Sequence, residues 1–500
     1  MISMRRNVFL FFNILGLCLL SCITMQAQRD FRLVENRNYW LTSGNGASLT
    51  TFSQPSISTA DVFYNYSKGN LRGELEGSHN NQFGLEAESF YRLSEKVVVY
   101  GSLTYDNNFA THMSGSMLLP SPDLMPFDIV EATDENSGNK RFEYFNIIGA
   151  VGWQVAPKWS VGAKVDFTAG TYAKFRDLRH TNTLMNIDAR ASAFYNFDGR
   201  NGVGASFIYK RRTESVEFET FGTTDKVFKT LVDYANGYGE TETFGGDGFT
   251  DSSHETPLYN QYFGVGLQGG LAGLYGEIDY LYRKGYYGKK SQYTVNHSDH
   301  SSNIFVWRVR YVLPQSRGYL CMFEIGQTSE VLTSSRTNYR RETMPDNPSA
   351  IYYQYYDNTK ISDKARQSGY VGFTGYWKPS GEIYLWYANA QVGYVHSKQT
   401  AYLFPYFFTE KFTSINPEVT GRRNFVFANT NLLAIELSYG MQFKYAEQLN
   451  GSFTIKYEQA LRDKSVRPWI AAGYEYRRGL EDEIKGLSRN YFMAQIGVTF

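Results

Sequence analysis

Cysteine is nearly absent: the 500 residues hold three. Two of them, Cys18 and Cys22, lie in a segment expected to be removed on export, which leaves Cys321 alone and excludes an intramolecular disulfide or a cysteine metal cluster. An excess of one charge is lacking too, because Lys and Arg number 50 against 49 Asp and Glu, for a net charge of +1. No field of one sign recommends nucleic acid or an acidic partner. Past the first 27 residues, no apolar run approaches the roughly 18 residues that a membrane helix needs. A mature chain that crosses a membrane must then do so as a closed barrel, the other fold that satisfies every backbone polar group in lipid.

What is abundant is aromatic: 40 Tyr and 36 Phe, accompanied by 45 Gly and only 13 Pro. Tyr and Phe favour pleated, half-buried surfaces, and Tyr suits a membrane interface, where one end of the ring is wet. The mean hydropathy of −0.41 is odd for a bundle of membrane helices but expected of a barrel, where only alternate side chains meet lipid.

Residues 1–27 have the make-up of a secretory signal: Arg5 and Arg6 form a basic start, Val8 to Leu20 an apolar core, and Met25-Gln26-Ala27 an exit, with cleavage expected after Ala27. Cleavage removes two arginines and no acid, turning the net charge to about −1. Leu19-Leu20-Ser21-Cys22 loosely resembles a lipoprotein box that would acylate Cys22, a rival that a barrel does not need.

The end of the chain carries the strongest single signal. Phe492, Ala494, Ile496, Val498 and Phe500 share one face of a strand. This resembles the terminal strand of outer-membrane barrels, and the resemblance implies recognition of these residues by the barrel-assembly machinery. Upstream, Val97, Val99, Leu103 and Tyr105 alternate with Ser102, Thr104 and Asp106; Leu433, Ile435, Leu437 and Tyr439 alternate with Glu436 and Ser438. Runs of period two, about 10 residues long, are the signature of a membrane barrel.

Connections alternate as well. Short links near residues 94–96, 156–158, 197–200, 270–273, 314–318, 378–381 and 446–450 are assigned to the periplasmic side, and the polar stretches 107–141, 213–257, 330–365 and 397–430 to long external loops. With a first strand near Asp61 to Ser67 and the last ending at Phe500, the count is about sixteen strands, within roughly fourteen to eighteen. Residues 468–478 are read as part of an external hairpin. The expected organisation is a signal peptide over 1–27, a periplasmic tail or small plug over 28–60, and a transmembrane antiparallel β-barrel over 61–500. The chain is too short for a full plug domain beside the 22 strands of the TonB-dependent receptors.

Phe83-Gly84-Leu85-Glu86-Ala87-Glu88-Ser89-Phe90, Pro120-Ser121-Pro122-Asp123-Leu124-Met125-Pro126-Phe127 and Trp159-Ser160-Val161-Gly162-Ala163 together resemble a family of uncharacterised outer-membrane barrels of Bacteroidota, a domain of unknown function. The resemblance covers nearly the whole mature chain and implies the barrel and the outer membrane. It brings no activity with it.

Groupings that could carry chemistry are few. His297-Ser298-Asp299-His300 could bind a divalent metal but lacks a third ligand fixed by spacing, and is read as a solvated loop. Asp128, Glu131, Asp134 and Glu135 form an acidic patch without the spacing of an EF-hand loop. No metal, cofactor or catalytic residue is assigned, and no enzyme activity is expected. Charged residues facing the lumen include Asp188, Arg190, Lys210, Arg212, Glu277, Asp279, Arg308, Arg310, Glu324, Glu436 and Lys456. Both signs are present, which argues against a strongly ion-selective pore. Among them Arg308, Glu324, Asp188 and Lys210 are proposed to form lumenal ion pairs, and a turn centred on Ser316 sets Arg308 opposite Glu324. The functional expectation is a channel or transporter for small solutes in the outer membrane, in contact with its lipid. The alternative is a non-conducting barrel that binds a ligand or works with a partner receptor, and a membrane hydrolase ranks third for want of any catalytic spacing.

Overall fold

The computed structural model describes residues 31–500 apart from 74, 132–136, 222–225, 236, 245–255, 289–294, 315–317, 381–382, 428–430 and 462–465, so the expected signal segment lies outside the described residues. The first strands in chain order are β1 (Ser56–Gly69), β2 (His79–Arg92), β3 (Val97–Met113), β4 (Asp128–Glu131), β5 (Gly138–Ala156), β6 (Trp159–Lys174) and β7 (Arg179–Asn196). Next come β8 (Gly202–Glu219), β9 (Lys229–Ala235), β10 (Tyr238–Thr243), β11 (Thr256–Leu271), β12 (Leu274–Gly288), β13 (Asn296–Val312) and β14 (Tyr319–Met344). The last are β15 (Asn347–Ser380), β16 (Ile383–Leu403), β17 (Tyr406–Phe427), β18 (Asn431–Gln442), β19 (Gln448–Glu458), β20 (Arg467–Gly479) and β21 (Ser488–Thr499).

Eighteen of these make one antiparallel sheet that closes on itself, because β1 pairs with β2 on one side and with β21 on the other. The seam runs from Thr59↔Thr499 to Gly69↔Arg489 and ends where Phe500 and Ser58 exchange backbone hydrogen bonds of 2.7 and 2.9 Å. The end holding Ser56 and Phe500 is the base of the barrel, and the opposite end is the crown.

Period-two patterning decides which side chains leave the lumen. Val62, Phe145, Phe263, Phe323, Val371, Leu437 and Ile496 point outward and are exposed. An apolar band of this extent around a whole barrel is unsustainable in water and fits a bilayer. Among the described residues no helix is long and apolar enough to cross a membrane.

Eighteen strands lie at the upper end of the expected fourteen to eighteen, two above the central count of sixteen, and the reasons are local. Residues 468–478 are the body of β20, a barrel strand held between β19 and β21. The link near 446–450 lies at the crown, since β18 and β19 diverge from Gln442↔Gln448 there, whereas β17 meets β18 at the base through Phe427↔Asn431. The stretches 330–365 and 397–427 are not loops. They are hairpins of 26 and 34 residues (β14, β15) and of 21 and 22 residues (β16, β17), well beyond the length a membrane crossing requires. Toward the crown the strict apolar alternation gives way to polar residues mixed with exposed aromatics such as Tyr356, Tyr406 and Phe407, which in sequence looks like loop. The barrel also begins at Ser56, five residues ahead of Asp61.

The base turn Ala272-Gly273 joins the paired residues Leu271 and Leu274 with both central residues at positive φ, 51° and 88°, the two-residue hairpin geometry that matches strand twist. At the crown, β4, β9 and β10 form a separate three-stranded sheet from the two longest connections. Phe127, Ile129, Val232 and Tyr234 of these connections pack on Val216, Phe218, Leu258 and Tyr287 of the wall.

Candidate ligand chamber in the barrel lumen

The floor of the chamber is the chain ahead of β1. Residues Phe31–Arg37 form a helix, α1, followed by two short 3-10 turns, Tyr39–Thr42 and Gly46–Thr51. Asn38 and Asn45 begin these turns, their side-chain oxygens accepting from the backbone N–H of Trp40 (3.2 Å) and Ala47 (3.0 Å). The segment crosses the lumen. Phe31 stacks on Phe90 of β2 with centroids 5.3 Å apart, and Leu33 packs on Leu320, Tyr376 and Tyr384 of β14 to β16. Trp40 is 1% exposed, lies 4.6 Å from the Phe194 ring and 5.2 Å from that of Tyr275, and donates from Nε1 to the Arg200 carbonyl at 2.8 Å.

Segment and wall meet backbone to backbone at Gly46 and Gly162. A Cβ on Gly46 would fall 2.7 Å from the Ala163 carbonyl oxygen, and one on Gly162 would fall 2.3 Å from the Ala47 nitrogen. Only glycine permits that approach. It explains structurally the stretch Trp159 to Ala163 that the sequence singled out.

Above this floor lies a cavity of about 560 Å³ whose two walls differ. On β6, β7, β12 and β13 the lining is charged: Lys164, Asp166, Asp188, Arg190, Glu277, Asp279 and Arg308. Arg190 bridges Asp279 (2.8 Å) and Asp188 (3.3 Å), and Asp188 faces Lys210 in register with a charge separation of 3.6 Å. On β14 to β17 the lining is uncharged: Thr328, Ser368, Tyr370, Gln391 and Asn416, with Gly326 and Gly393 between them. Tyr370 lies in register with both glycines, its ring covers Gly326, and its hydroxyl donates to Glu324.

Closer to the crown the first long connection dips into the lumen and is held by charged wall residues. Leu119 N–H donates to Glu214 and Leu124 N–H to Glu330, each at 2.7 Å, while Arg283 donates to the Leu124 carbonyl at 2.8 Å and pairs with Glu330 at 2.8 Å. Tyr262 donates to Asp123 at 2.9 Å, Ser362 to the Pro126 carbonyl at 3.1 Å, and Arg366 to that of Pro122. Pro120 to Phe127 is thus the strip of loop that the inner wall grips.

The expected lumenal pairs need one correction. Arg308 faces Gly326 rather than Glu324, and Arg310 is the residue across from Glu324 and paired with it. The observed ladder is shifted by two positions from the expected one, which keeps every side chain on its expected face. Arg308 instead pairs with Glu277 across β12 at 2.9 Å.

His297 to His300 lie in β13, not in a loop, because the hairpin continues beyond the apolar band. A β-bulge leaves His297 without a ladder partner, and its ring packs 5.7 Å from that of Tyr287. His300 bonds to Asn260 at 2.7 Å, and the described residues contain no group of three or more potential metal ligands. Of the acidic patch, Asp128 bonds to Ser116 at 2.7 Å, Glu131 pairs with Lys174, and Asp134 and Glu135 lie outside the described residues. Phe492, Ala494 and Ile496 of the terminal strand are exposed on the outer face, with Val498 less so on the same face.

Sequence reasoning passed over Glu214, Arg283 and Glu330, the residues that grip the loop, although each sits at an inward position of an alternating strand. It also passed over Tyr370 and Lys164. For the charged ones the available signal was a charge at an inward position of an alternating strand, a pattern it used only for the residues it named.

A search of curated proteins gives no match. Among solved structures, the ferric preacinetobactin receptor BauA from Acinetobacter baumannii is similar over 90% of this chain and 80% of its own, at 8% identity and a TM-score of 0.43. The alcaligin outer-membrane receptor FauA from Bordetella pertussis is similar over 90% of this chain and 77% of its own, at 9% identity and a TM-score of 0.38. For a monoaromatic hydrocarbon channel, the TodX deltaS2S3 mutant, the shares are 91% and 92%, the identity 10% and the TM-score 0.32. The model of a family of unknown function (DUF6850) matches residues 46–500, from the glycine where the lumenal segment meets the wall to the last residue, and this chain belongs to that family.

Proposed function

We propose that this chain is an outer-membrane barrel of a diderm bacterium, with base periplasmic and crown external, that passes small polar solutes through a lumen narrowed by its own chain. The observation that carries the reading is the chamber itself: a polar cavity of about 560 Å³ floored by Thr42 and Gly44 of the folded-in N-terminal segment, with a loop drawn into the lumen nearer the crown. That volume falls in the range that holds a small ligand. A pore left open would need neither element. Their hydrogen bonds to the wall favour a selective, gated passage, and the same bonds support the second reading, a non-conducting barrel that holds a ligand for a partner receptor. The proposed role is not catalytic and needs no cofactor.

Planar-bilayer recording of the refolded protein and of a deletion of residues 31–52 separates these readings. The expected result is small or intermittent conductance from the whole chain and larger, steady conductance from the deletion. Silence from both, with the deletion still running as a heat-modifiable barrel, would overturn transport and leave the accessory reading.

A further inference from the structure

The two walls of the chamber specify a ligand. The charged wall with Lys210 holds Lys164, Arg190, Lys210 and Arg308 against Asp166, Asp188, Glu277 and Asp279, so the formal charges cancel. A solute with a large net charge gains nothing from such a balanced field and loses its hydration on entry. Carboxylates and cations held side by side are, however, a dense array of hydrogen-bond acceptors and donors.

The uncharged wall adds groups of both kinds. Among the described residues, the side chains of Thr328, Ser368 and Gln391 have no hydrogen-bond partner, and neither has the ammonium of Lys164, which faces the same cavity. Between them lies one flat apolar surface. Glycines stand on both strands beside Tyr370, so its ring lies down over Gly326 with no side chain at either neighbouring position, and its hydroxyl is tied to Glu324. A fixed aromatic face among unpaired hydroxyl, amide and ammonium groups suits a molecule with an apolar ring face and a polar hydroxylated edge.

We propose that the chamber binds a neutral sugar of one or two rings, stacked on Tyr370 and hydrogen-bonded at its edge by Lys164, Thr328, Ser368 and Gln391. This rests on the chamber reading of the site but not on solute passage. Each fully desolvated stack or charge-assisted hydrogen bond of this kind changes affinity about tenfold or more.

The test is isothermal titration calorimetry of the full chain in detergent micelles with glucose, maltose and glucuronate. Saturable millimolar binding of glucose or maltose is expected, with glucuronate weaker. Tyr370→Ala should weaken binding about tenfold or more, Tyr370→Phe should stay within about threefold of wild type, and Lys164→Gln should weaken it about tenfold. Heat-modifiable migration confirms that each variant is folded. Absence of saturable binding by either neutral sugar, preference for glucuronate, or a folded Tyr370→Ala variant with unchanged affinity would overturn the proposal. Binding is measured without flux, so a silent barrel that binds maltose defeats the transport reading and leaves this site standing.

Discussion

Arg308 stands directly across the ladder from Glu277, with guanidinium and carboxylate 2.9 Å apart, and the other oxygen of Glu277 accepts the Gly44 N–H at 2.9 Å. The arginine also donates to the Thr42 carbonyl at 3.1 Å. One ion pair of the wall therefore clasps two backbone groups of the lumenal segment. Double-mutant cycles in micellar urea unfolding should show coupling of about 1.5 to 3 kcal/mol for Arg308→Ala with Glu277→Ala. The corresponding coupling for Arg308→Ala with Glu324→Ala should be smaller by half or more. Equal couplings would contradict the observed register.

Trp40 fixes the segment against Phe194 and Tyr275. Trp40→Ala should cost docking about 3 to 5 kcal/mol, as large aromatic truncations in packed interiors do. A spin label at an Arg37→Cys position should change from restricted to mobile in that variant while the barrel remains heat-modifiable. A label that stays restricted would show that docking does not depend on Trp40.

Glu330 accepts the Leu124 N–H and pairs with Arg283, and both charged side chains are 2% exposed or less. Glu330→Ala leaves a buried arginine uncompensated, a loss of about 3 to 5 kcal/mol. The expected outcome is release of the inward loop, read as new protease cleavage between residues 114 and 131 on whole cells. Glu330→Gln keeps an acceptor for the amide but not the charge, and should fall between the two.

Docking of α1 should respond to pH. Burial, and then the charge of Glu88, push Glu35 from 4.5 up to about 7, with Arg32, Arg310 and Lys164 opposing. A carboxyl raised on docking takes up a proton as the segment docks. Docking is then tightest below about pH 4.5, weakens as pH rises from there to about 7, and is flat above. Label mobility at position 37 should rise across that window, and Glu35→Gln should flatten the curve. A wild-type curve without slope between pH 5 and 7.5 would refute the assignment.

Leu437 is exposed on the outer face while Ser438 faces inward. Leu437→Lys should destabilise the barrel in liposomes by about 2 to 4 kcal/mol, and Ser438→Lys by much less. Equal losses would mean that the outer face does not meet lipid at this height.

The barrel was legible in the sequence because one face of every strand must be apolar, a constraint written at alternate positions from Val97 to Phe500. The strand count was less so. Parity reasoning depends on recognising both ends of each strand, and the upper halves of β14 to β17 mix polar residues with exposed aromatics and lose the clean apolar alternation. The Arg308 register missed by two because a hairpin's patterning fixes which face a residue takes but not its partner along that face. The chamber floor was hardest to read. Residues 31–52 are held by single contacts to distant strands, such as Asn45 to Gln268 and Asn36 to Tyr376, which leave no periodic trace.

The lumenal segment is joined to β1 by residues 53–55 alone. Three residues reach at most about 10 Å when fully extended, so a segment that lets go of the wall stays at the mouth of the barrel on a short leash. Its return is a unimolecular step at a high effective concentration. The ratio of docked to released barrels is then independent of how much protein the membrane carries, and each molecule resets by itself, without a second component to restore the floor.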